Sequence, residues 1–341
     1  MSLTPPPPVK RMHGIDPAAI PFDDLIAAQQ PAVLEGVAAD WPLVAEGRKS
    51  AKAAADYLAR FAGDRAVTVF AAPAETGGRF HYDDTATRLN FSASRADLRE
   101  TLTAMLANDD DGALYVGSTD LDQFLPGLRD ENDLALSHSD FGHKPPLASI
   151  WIGNRTTTPA HYDISNNLAC CIVGRRRFTL FPPDQVANLY PGPLDPTPAG
   201  QVVSMVDMRA PDFVRHPRFR EALASAQMGE LEPGDVLFYP ALWWHQVEAM
   251  DAFNAMINYW WNPVPAFVDT PETTMLHAIL SLRDRPESEK RAWAALFDYY
   301  VFGPADRAGA HLPEGARGAL APLDEMGARR LRAKLLHRLN R

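Results

Sequence analysis

Two histidines and one aspartate in this chain have the types and spacing to hold a metal ion: His161 and Asp163, separated by one residue, and His245 downstream. Residues i and i+2 of a β-strand project to the same face, so His161 and Asp163 can enter the interior of a barrel side by side. A neighbouring strand must then supply the third ligand. Two imidazoles and one carboxylate on one side of a metal leave its other positions open, which is the ligand set of non-haem Fe(II) centres.

The triplet alone carries little weight, because about one His-x-acid triplet is expected by chance from 10 histidines and 43 acidic residues in 341. Three occur. His81/Asp83 has polar neighbours on both sides, and His138/Asp140 lies in a segment rich in Ser, Asp, Gly and Pro, so both read as loop or surface histidines. His161 instead sits in Thr157-Thr-Pro-Ala-His-Tyr-Asp163 within a strand-dense stretch. Its partner follows a Pro233-Gly-Asp235 turn, a buried-strand pattern, a break at Pro240 and then Ala241-Leu-Trp-Trp-His245. A turn, a strand, a break and a histidine opening the next strand is how a barrel delivers a late ligand, with Trp243 and Trp244 expected to dry and shape the rim.

A second group of polar residues surrounds this set. Of Arg175, Arg176 and Arg177, strand alternation puts Arg176 on the face of Phe178 and Leu180, and the other two on the face of Thr179. Arg176 is therefore the inward one, and a buried guanidinium requires an anion, a carboxylate suiting its planar fork. Asn167 precedes an apolar strand and Asn258 interrupts another. A buried amide needs a partner, either a ligand carboxylate or the protein's own backbone.

The elements that position these residues are mostly strands. Short apolar runs punctuated by Gly, Pro, Asn and Asp predict strands at 113–116, 147–153, 159–163, 168–173, 177–181, 202–206, 229–231, 236–239, 245–249 and 255–260. Few helices alternate with them, which disfavours a parallel α/β sheet and favours a closed or double-sheet antiparallel barrel. Ahead of them, 16–108 mixes helical patterns at 51–61 and 96–107 with a β-rich piece at 66–71, and the acidic run 109–111 reads as a solvated turn. The insertion 212–227 reads as helix. Beyond 265 the strands stop, and helices are expected at 271–283, 287–300 and 323–339, the last with Leu331, Leu335 and Leu339 four residues apart among arginines. The expected organisation is a proline-rich leader over 1–15 with Pro5 to Pro8 solvated, a catalytic domain over 16–265 whose barrel core is about 113–262, and a helical region over 266–341.

Composition narrows the partners. The net charge is −10, from 33 basic against 43 acidic residues, which argues against a generic binder of nucleic acid or anionic membrane. The only cysteines, Cys170 and Cys171, are adjacent and cannot form an ordinary disulfide, which fits a reducing compartment, with the cytoplasm as default. No run approaches the roughly 18 apolar residues of a membrane span.

The stretch from Thr158-Pro-Ala-His-Tyr-Asp163 through Asn167, Gly174 to Arg177, Phe181-Pro-Pro-Asp-Gln185, Leu189-Tyr-Pro191, Pro233-Gly-Asp235, Trp243-Trp-His245 and Asn258-Tyr-Trp260 resembles the cupin-like JmjC hydroxylases, the asparaginyl hydroxylases in particular. The resemblance implies a double-stranded β-helix, a jelly-roll core with flanking and C-terminal helices. It further implies an enzyme that uses Fe(II), O2 and 2-oxoglutarate to hydroxylate an unactivated C–H bond, with succinate and CO2 as coproducts. Carried over residue by residue, His161, Asp163 and His245 would ligate iron. Asn167 and Asn258 would meet the metal-chelating end of 2-oxoglutarate, while Tyr115 and Thr158 help Arg176 hold the far carboxylate. Where that branch has lysine this chain has Arg176, which keeps the charge but changes its shape. The implied substrate is a peptide or protein side chain, or a small molecule, bound near the barrel mouth between the N-terminal region and the segment 138–143. The C-terminal helices resemble a dimerising tail, so a homodimer is expected. Other readings of the same residues are a Zn or Mn cupin isomerase and a cupin-like binding module without turnover.

Overall fold

The computed structural model describes residues 5–107, 112–142 and 144–340. The acidic run 109–111 and His143 lie outside them. Thirteen strands are described: β1 Lys10–Met12, β2 Ala32–Leu34, β3 Val67–Ala72, β4 Ser92–Ala96, β5 Ala113–Asp120, β6 Leu147–Gly153, β7 Thr157–Tyr162, β8 Asn166–Val173, β9 Arg176–Phe181, β10 Gln227–Leu231, β11 Val236–Tyr239, β12 Trp244–Ala249 and β13 Asn254–Trp261. The helices are α1 Phe22–Ala28, α2 Pro42–Lys49, α3 Ala51–Phe61, α4 Leu98–Leu106, α5 Leu121–Phe124, α6 Phe219–Ser225, α7 Pro271–Leu282, α8 Glu287–Phe297 and α9 Glu325–Leu339.

The strands form a nine-stranded sheet in the order β1-β2-β11-β8-β13-β6-β5-β3-β4 and a four-stranded sheet in the order β10-β9-β12-β7. Every ladder is antiparallel except β1 with β2. The mainly β, double-sheet architecture with flanking helices is the one expected from the strand pattern. Strand β8 shows why the layers form. Its Leu168, Cys170 and Ile172 pack with Leu43 and Leu58 of α2 and α3 in the larger core, while Ala169 and Cys171 face the barrel interior with Phe178, Leu180, Leu237 and Met256. A strand buried on both faces reads as one unbroken apolar run, and Leu168 to Val173 is such a run. A third cluster covers the outer face of the small sheet, where Ala160, Phe181 and Trp244 meet Phe219 and Ala222 of α6.

Several elements depart from expectation for identifiable reasons. The helix expected over 96–107 begins only at Leu98, because Asp97 caps it by accepting from the Arg99 and Glu100 amides and the preceding Ser92–Ala96 pairs with β3. The helix expected over 212–227 shrinks to α6. Asp212 ties the Val214 and Arg215 amides into a turn, Pro217 follows, and Gln227 already belongs to β10. No strand forms at 202–206, where the chain makes one bridge, Pro191 with Ser204, and one bond from the Ser204 amide to the Ala160 carbonyl. The proline-rich leader is only partly solvated: the Met228 amide donates to the Pro7 carbonyl, the Val9 amide donates back to Met228, and β1 extends the large sheet. β1, β2, α1 and α2 had no counterpart in the pattern reading, being too short to show a period.

By compactness the chain divides into Met1–Asn262 and Pro263–Arg341. The second unit holds α7, α8 and α9, and among its described residues only Ala308 and Ala328 are apolar and buried, whereas Leu276, Leu280, Phe302 and Leu336 are each more than half exposed. Arg332 of α9 pairs with Asp269 within that unit.

Candidate metal centre and anion site

His161 on β7 and His245 on β12 are direct cross-strand partners, which brings their ring centroids to 4.3 Å. Asp163 follows β7, and its Oδ2 lies 3.6 Å from His245 Nε2. One ligand atom from each of the three falls within 4.8 Å of the others, the span a single metal ion can bridge. Both rings are oriented from behind. His161 Nδ1 stands 2.9 Å from the Pro159 carbonyl and His245 Nδ1 3.0 Å from the Trp243 carbonyl. A carbonyl only accepts, so each Nδ1 carries the proton and each Nε2 presents its lone pair, as a metal ligand must. Burial lowers the pKa of His245 to about 4, helped by the neighbouring His161, so the ring is neutral at physiological pH.

Asp163 is held from two sides. The Leu242 amide donates to its carbonyl at 2.7 Å, and Asn167 Nδ2 donates to its Oδ2 at 2.9 Å. Asn258 Nδ2 in turn donates to Asn167 Oδ1 at 2.8 Å and lies 3.5 Å from the Tyr239 hydroxyl. The two amides are thus satisfied by each other and by the carboxylate, neither by backbone nor by a ligand alone, and the relay fixes the rotamer of Asp163. One acceptor, Asn258 Oδ1, is buried without a partner.

Arg176 is delivered by the β8–β9 turn. Gly174 occupies it at φ +68°, where a Cβ would stand 2.4 Å from Asn254 Oδ1, so only glycine fits. Arg175 and Arg177 turn outward to Asp251 and Glu230, while Arg176 is 1% exposed. Its Nε and Nη2 have no hydrogen-bond partner. Burial lowers its pKa, opposed by Tyr115 and Cys171. Tyr115, hydrogen-bonded to Thr158, has its own pKa raised by burial. Two orphaned coplanar donors on a buried cation form an incomplete site, and an anionic ligand would complete it.

A cavity of about 400 Å³ is lined by His161, Asp163 and His245, by Tyr115, Thr158 and Asn258, and by residues not singled out from sequence, Phe70, Phe80, Phe91, Trp151, Tyr239 and Trp260 among them. Inward alternation along β3, β6 and β11 could have flagged Phe70, Trp151 and Tyr239; Phe80 and Phe91 lie in loops with no period to read. Trp243 and Trp244 do not shape this rim. They are 4% and 2% exposed in separate cores, because the chain turns through Leu242 at φ +67° before β12 begins. His81 is not a surface histidine: it is 5% exposed, with Nε2 on the Ser204 carbonyl. The N-terminal region does line the cavity, but no described residue of 138–143 does. His138 packs instead against Phe22 and pairs with Asp23.

Residues 17–267 match the model of the cupin-like domain family. Lysine-specific demethylase 8 of Xenopus tropicalis is 29% identical over 245 residues, covering 70% of this chain and 50% of that protein. HSPB1-associated protein 1 of Homo sapiens is 34% identical over 195 residues, covering 54% and 39%. Lysine-specific demethylase JMJ31 of Arabidopsis thaliana is 33% identical over 118 residues, covering 34% and 21%. The chain therefore spans half or less of the length of these three relatives.

Proposed function

The chain belongs to the cupin-like domain family, and from that premise we propose that it is an Fe(II)- and 2-oxoglutarate-dependent oxygenase that hydroxylates an unactivated C–H bond of a peptide or protein side chain. The observation that carries this reading is a three-ligand cluster on the cavity wall together with a buried arginine whose Nε and Nη2 are unpartnered and which is electrostatically coupled to the lining residue Tyr115. A metal site alone fits many cupins; a metal site with a buried anion receptor fits a chelating dicarboxylate. His161, Asp163 and His245 would hold the iron, and Arg176 with Tyr115 and Thr158 would take the far carboxylate. Asn167 and Asn258 would border the chelating end while keeping Asp163 in place. Bound iron would activate O2, the oxidant, with 2-oxoglutarate as the co-reductant consumed to succinate and CO2, a chemistry no protein side chain supplies. The chain's own share is orientation, charge compensation and exclusion of water. The carbonyls of Pro159 and Trp243 keep the Nε2 lone pairs directed to one point, and the aromatic lining keeps the reaction space dry.

A protein substrate agrees with relatives named as lysine-specific demethylases. Pairing of two copies through the C-terminal unit would cover the exposed Leu280 and Phe302, 78% and 75% accessible. A reducing, cytoplasmic setting suits Cys170 and Cys171, both buried as free thiols. Among the described residues no helix is long and apolar enough to cross a membrane.

The test is anaerobic addition of Fe(II) and then 2-oxoglutarate to metal-free protein. The expected result is a visible metal-to-ketoacid charge-transfer band that is absent in His161→Ala. Tight metal binding without the band would overturn the oxygenase reading in favour of an isomerase or a binding module.

A further inference from the structure

Part of the cavity is not used by the metal ligands or by the residues assigned to the cosubstrate. It runs along the inner face of the large sheet toward its β3–β4 edge, past Trp260, Trp151, Gly117 and Phe70. Its wall is a continuous series of rings. Centroids are 5.9 Å apart from Trp260 to Trp151, 5.8 Å from Trp151 to Tyr115, 5.6 Å from Tyr115 to Phe80, 5.2 Å from Phe80 to Phe91 and 5.6 Å from Phe91 to Phe70. Asp163 is the sole carboxylate among the described lining residues, and it belongs to the metal cluster. Thr68, another lining residue, accepts from the Arg95 guanidinium. The indole N–H groups of Trp151 and Trp260 are buried with no partner.

The passage is open because of one residue. Strand β5 slips register against β6 between Val116 and Thr119, which places Gly117 and Ser118 on the cavity wall. A Cβ on Gly117 would stand 2.8 Å from the Phe70 ring and 3.6 Å from Trp151. Nothing in its backbone demands glycine, as its φ is not positive. Space demands it: a side chain there must displace the Phe70 ring that borders the passage.

We infer that this passage receives the target side chain, that it takes an uncharged side chain, and that Gly117 sets its width. The inference rests on the oxygenase reading and names the substrate class of that site. A protonated amine would leave water for an aromatic wall with no carboxylate outside the metal cluster and with Arg95 bonded to its lining residue Thr68, which is unfavourable. Ring faces do attract cations, but here part of their area is taken up by ring–ring contacts. Phe70 and Phe80 both meet Phe91 edge-on, and Tyr115 lies stacked on Trp151. An uncharged side chain loses far less solvation on entering the passage.

The test uses two probes of the same shape, choline and its carbon isostere 3,3-dimethyl-1-butanol, with binding to the full chain read by saturation-transfer NMR. The alcohol is expected to bind about tenfold more tightly than choline. Its signal should be lost in Gly117→Val and strengthened in Phe70→Ala, which removes the ring a Gly117 side chain would strike. Equal or tighter binding of choline, or binding of neither probe, overturns the inference. An alcohol signal that is unchanged in both variants overturns the role of Gly117. Mn(II) binding, read by electron paramagnetic resonance on the same samples, separates the two levels. Wild-type protein that fails to bind Mn(II) refutes the oxygenase reading, whereas Mn(II) binding with a preference for choline refutes only the substrate class. Retained Mn(II) binding in Gly117→Val shows that the variant is folded.

Discussion

At the metal end of the barrel interior the groups that orient the three candidate ligands find partners within the protein, Asn258 Oδ1 excepted; at the Arg176 end Nε and Nη2 do not. Each imidazole has a backbone carbonyl behind it, and Asp163 has Asn167 and the Leu242 amide. Arg176 is as deeply buried as His245, yet its Nε and Nη2 face no acceptor. The difference teaches what each end is for. On the proposed function, the preorganised ligand set would suit an ion that binds tightly and stays, and the incompletely paired buried cation an anion that comes and goes. If the comparison holds, substitutions at the two ends have opposite signatures on the ligand-free fold.

The largest effect is expected from removing a ligand. Asp163→Ala should cut divalent-metal affinity by more than about 100-fold and abolish turnover, and should lower the stability of the still-folded metal-free protein by about 1–3 kcal/mol because Asn167 Nδ2 loses its acceptor. Metal titration monitored by calorimetry checks it. Wild-type affinity in the variant would remove Asp163 from the cluster.

Arg176→Met gives the opposite signature. Replacing a buried, incompletely paired charge by an apolar chain of similar volume should leave the ligand-free fold as stable as before or stabilise it by about 1–4 kcal/mol. The same change should weaken 2-oxoglutarate binding to the metal-loaded protein by about 2–5 kcal/mol. Arg176→Lys should recover part of the affinity, because the charge returns without the fork. A destabilised ligand-free fold would mean that Arg176 already has its partner, and the contrast between the two ends would collapse.

What could be read from sequence follows the same division. The three-residue cluster was legible because strand alternation and cross-strand pairing are local rules: His161 and His245 are paired across β7 and β12, and Asp163 stands one residue past the end of β7. Arg176 was legible as inward for the same reason. The Asp163–Asn167–Asn258 relay was not, since it joins three segments through side chains whose order in space no pattern records. Nor were Phe80 and Phe91, which reach the cavity from loops, or the space beside Gly117, which depends on a register slip in β5. In the fold, most long apolar strands were placed to within a residue or two, but β5 runs four residues past the expected 113–116, and the three-residue strands β1 and β2 escaped. The error at Trp243 and Trp244 came from treating a run as rim when the backbone reverses at Leu242 and sends the two indoles into different cores.

A smaller effect tests whether the relay serves the metal end. Asn167→Ala removes the donor to Asp163 Oδ2 and leaves Asn258 without its acceptor. Metal affinity should fall by about 10–100-fold, the usual consequence of losing a group that orients a ligand. Asn167→Asp would place a second carboxylate beside Asp163 and should not rescue. Unchanged affinity in Asn167→Ala would show that the carboxylate needs no donor from Asn167, the Leu242 amide holding only the Asp163 backbone carbonyl.

The smallest effect concerns that amide. Leu242 is not a glycine, yet it sits at φ +67° with its side chain 48% exposed, so its conformation is strained and little packing compensates. The strain persists because the amide donates to the Asp163 carbonyl at 2.7 Å and the chain must enter β12 with His245 in register with His161. Leu242→Gly keeps the amide and relieves the strain, so the metal-free protein should become more stable by about 1 kcal/mol, net of the extra freedom glycine gives the unfolded chain. Metal affinity should stay within about twofold, since no ligand or orienting bond is lost. Chemical denaturation and metal titration of the same variant read both quantities. A gain in stability accompanied by a large loss of metal affinity would show that the strained leucine itself presses the cluster into shape, and that the metal end is held by tension as well as by its hydrogen bonds.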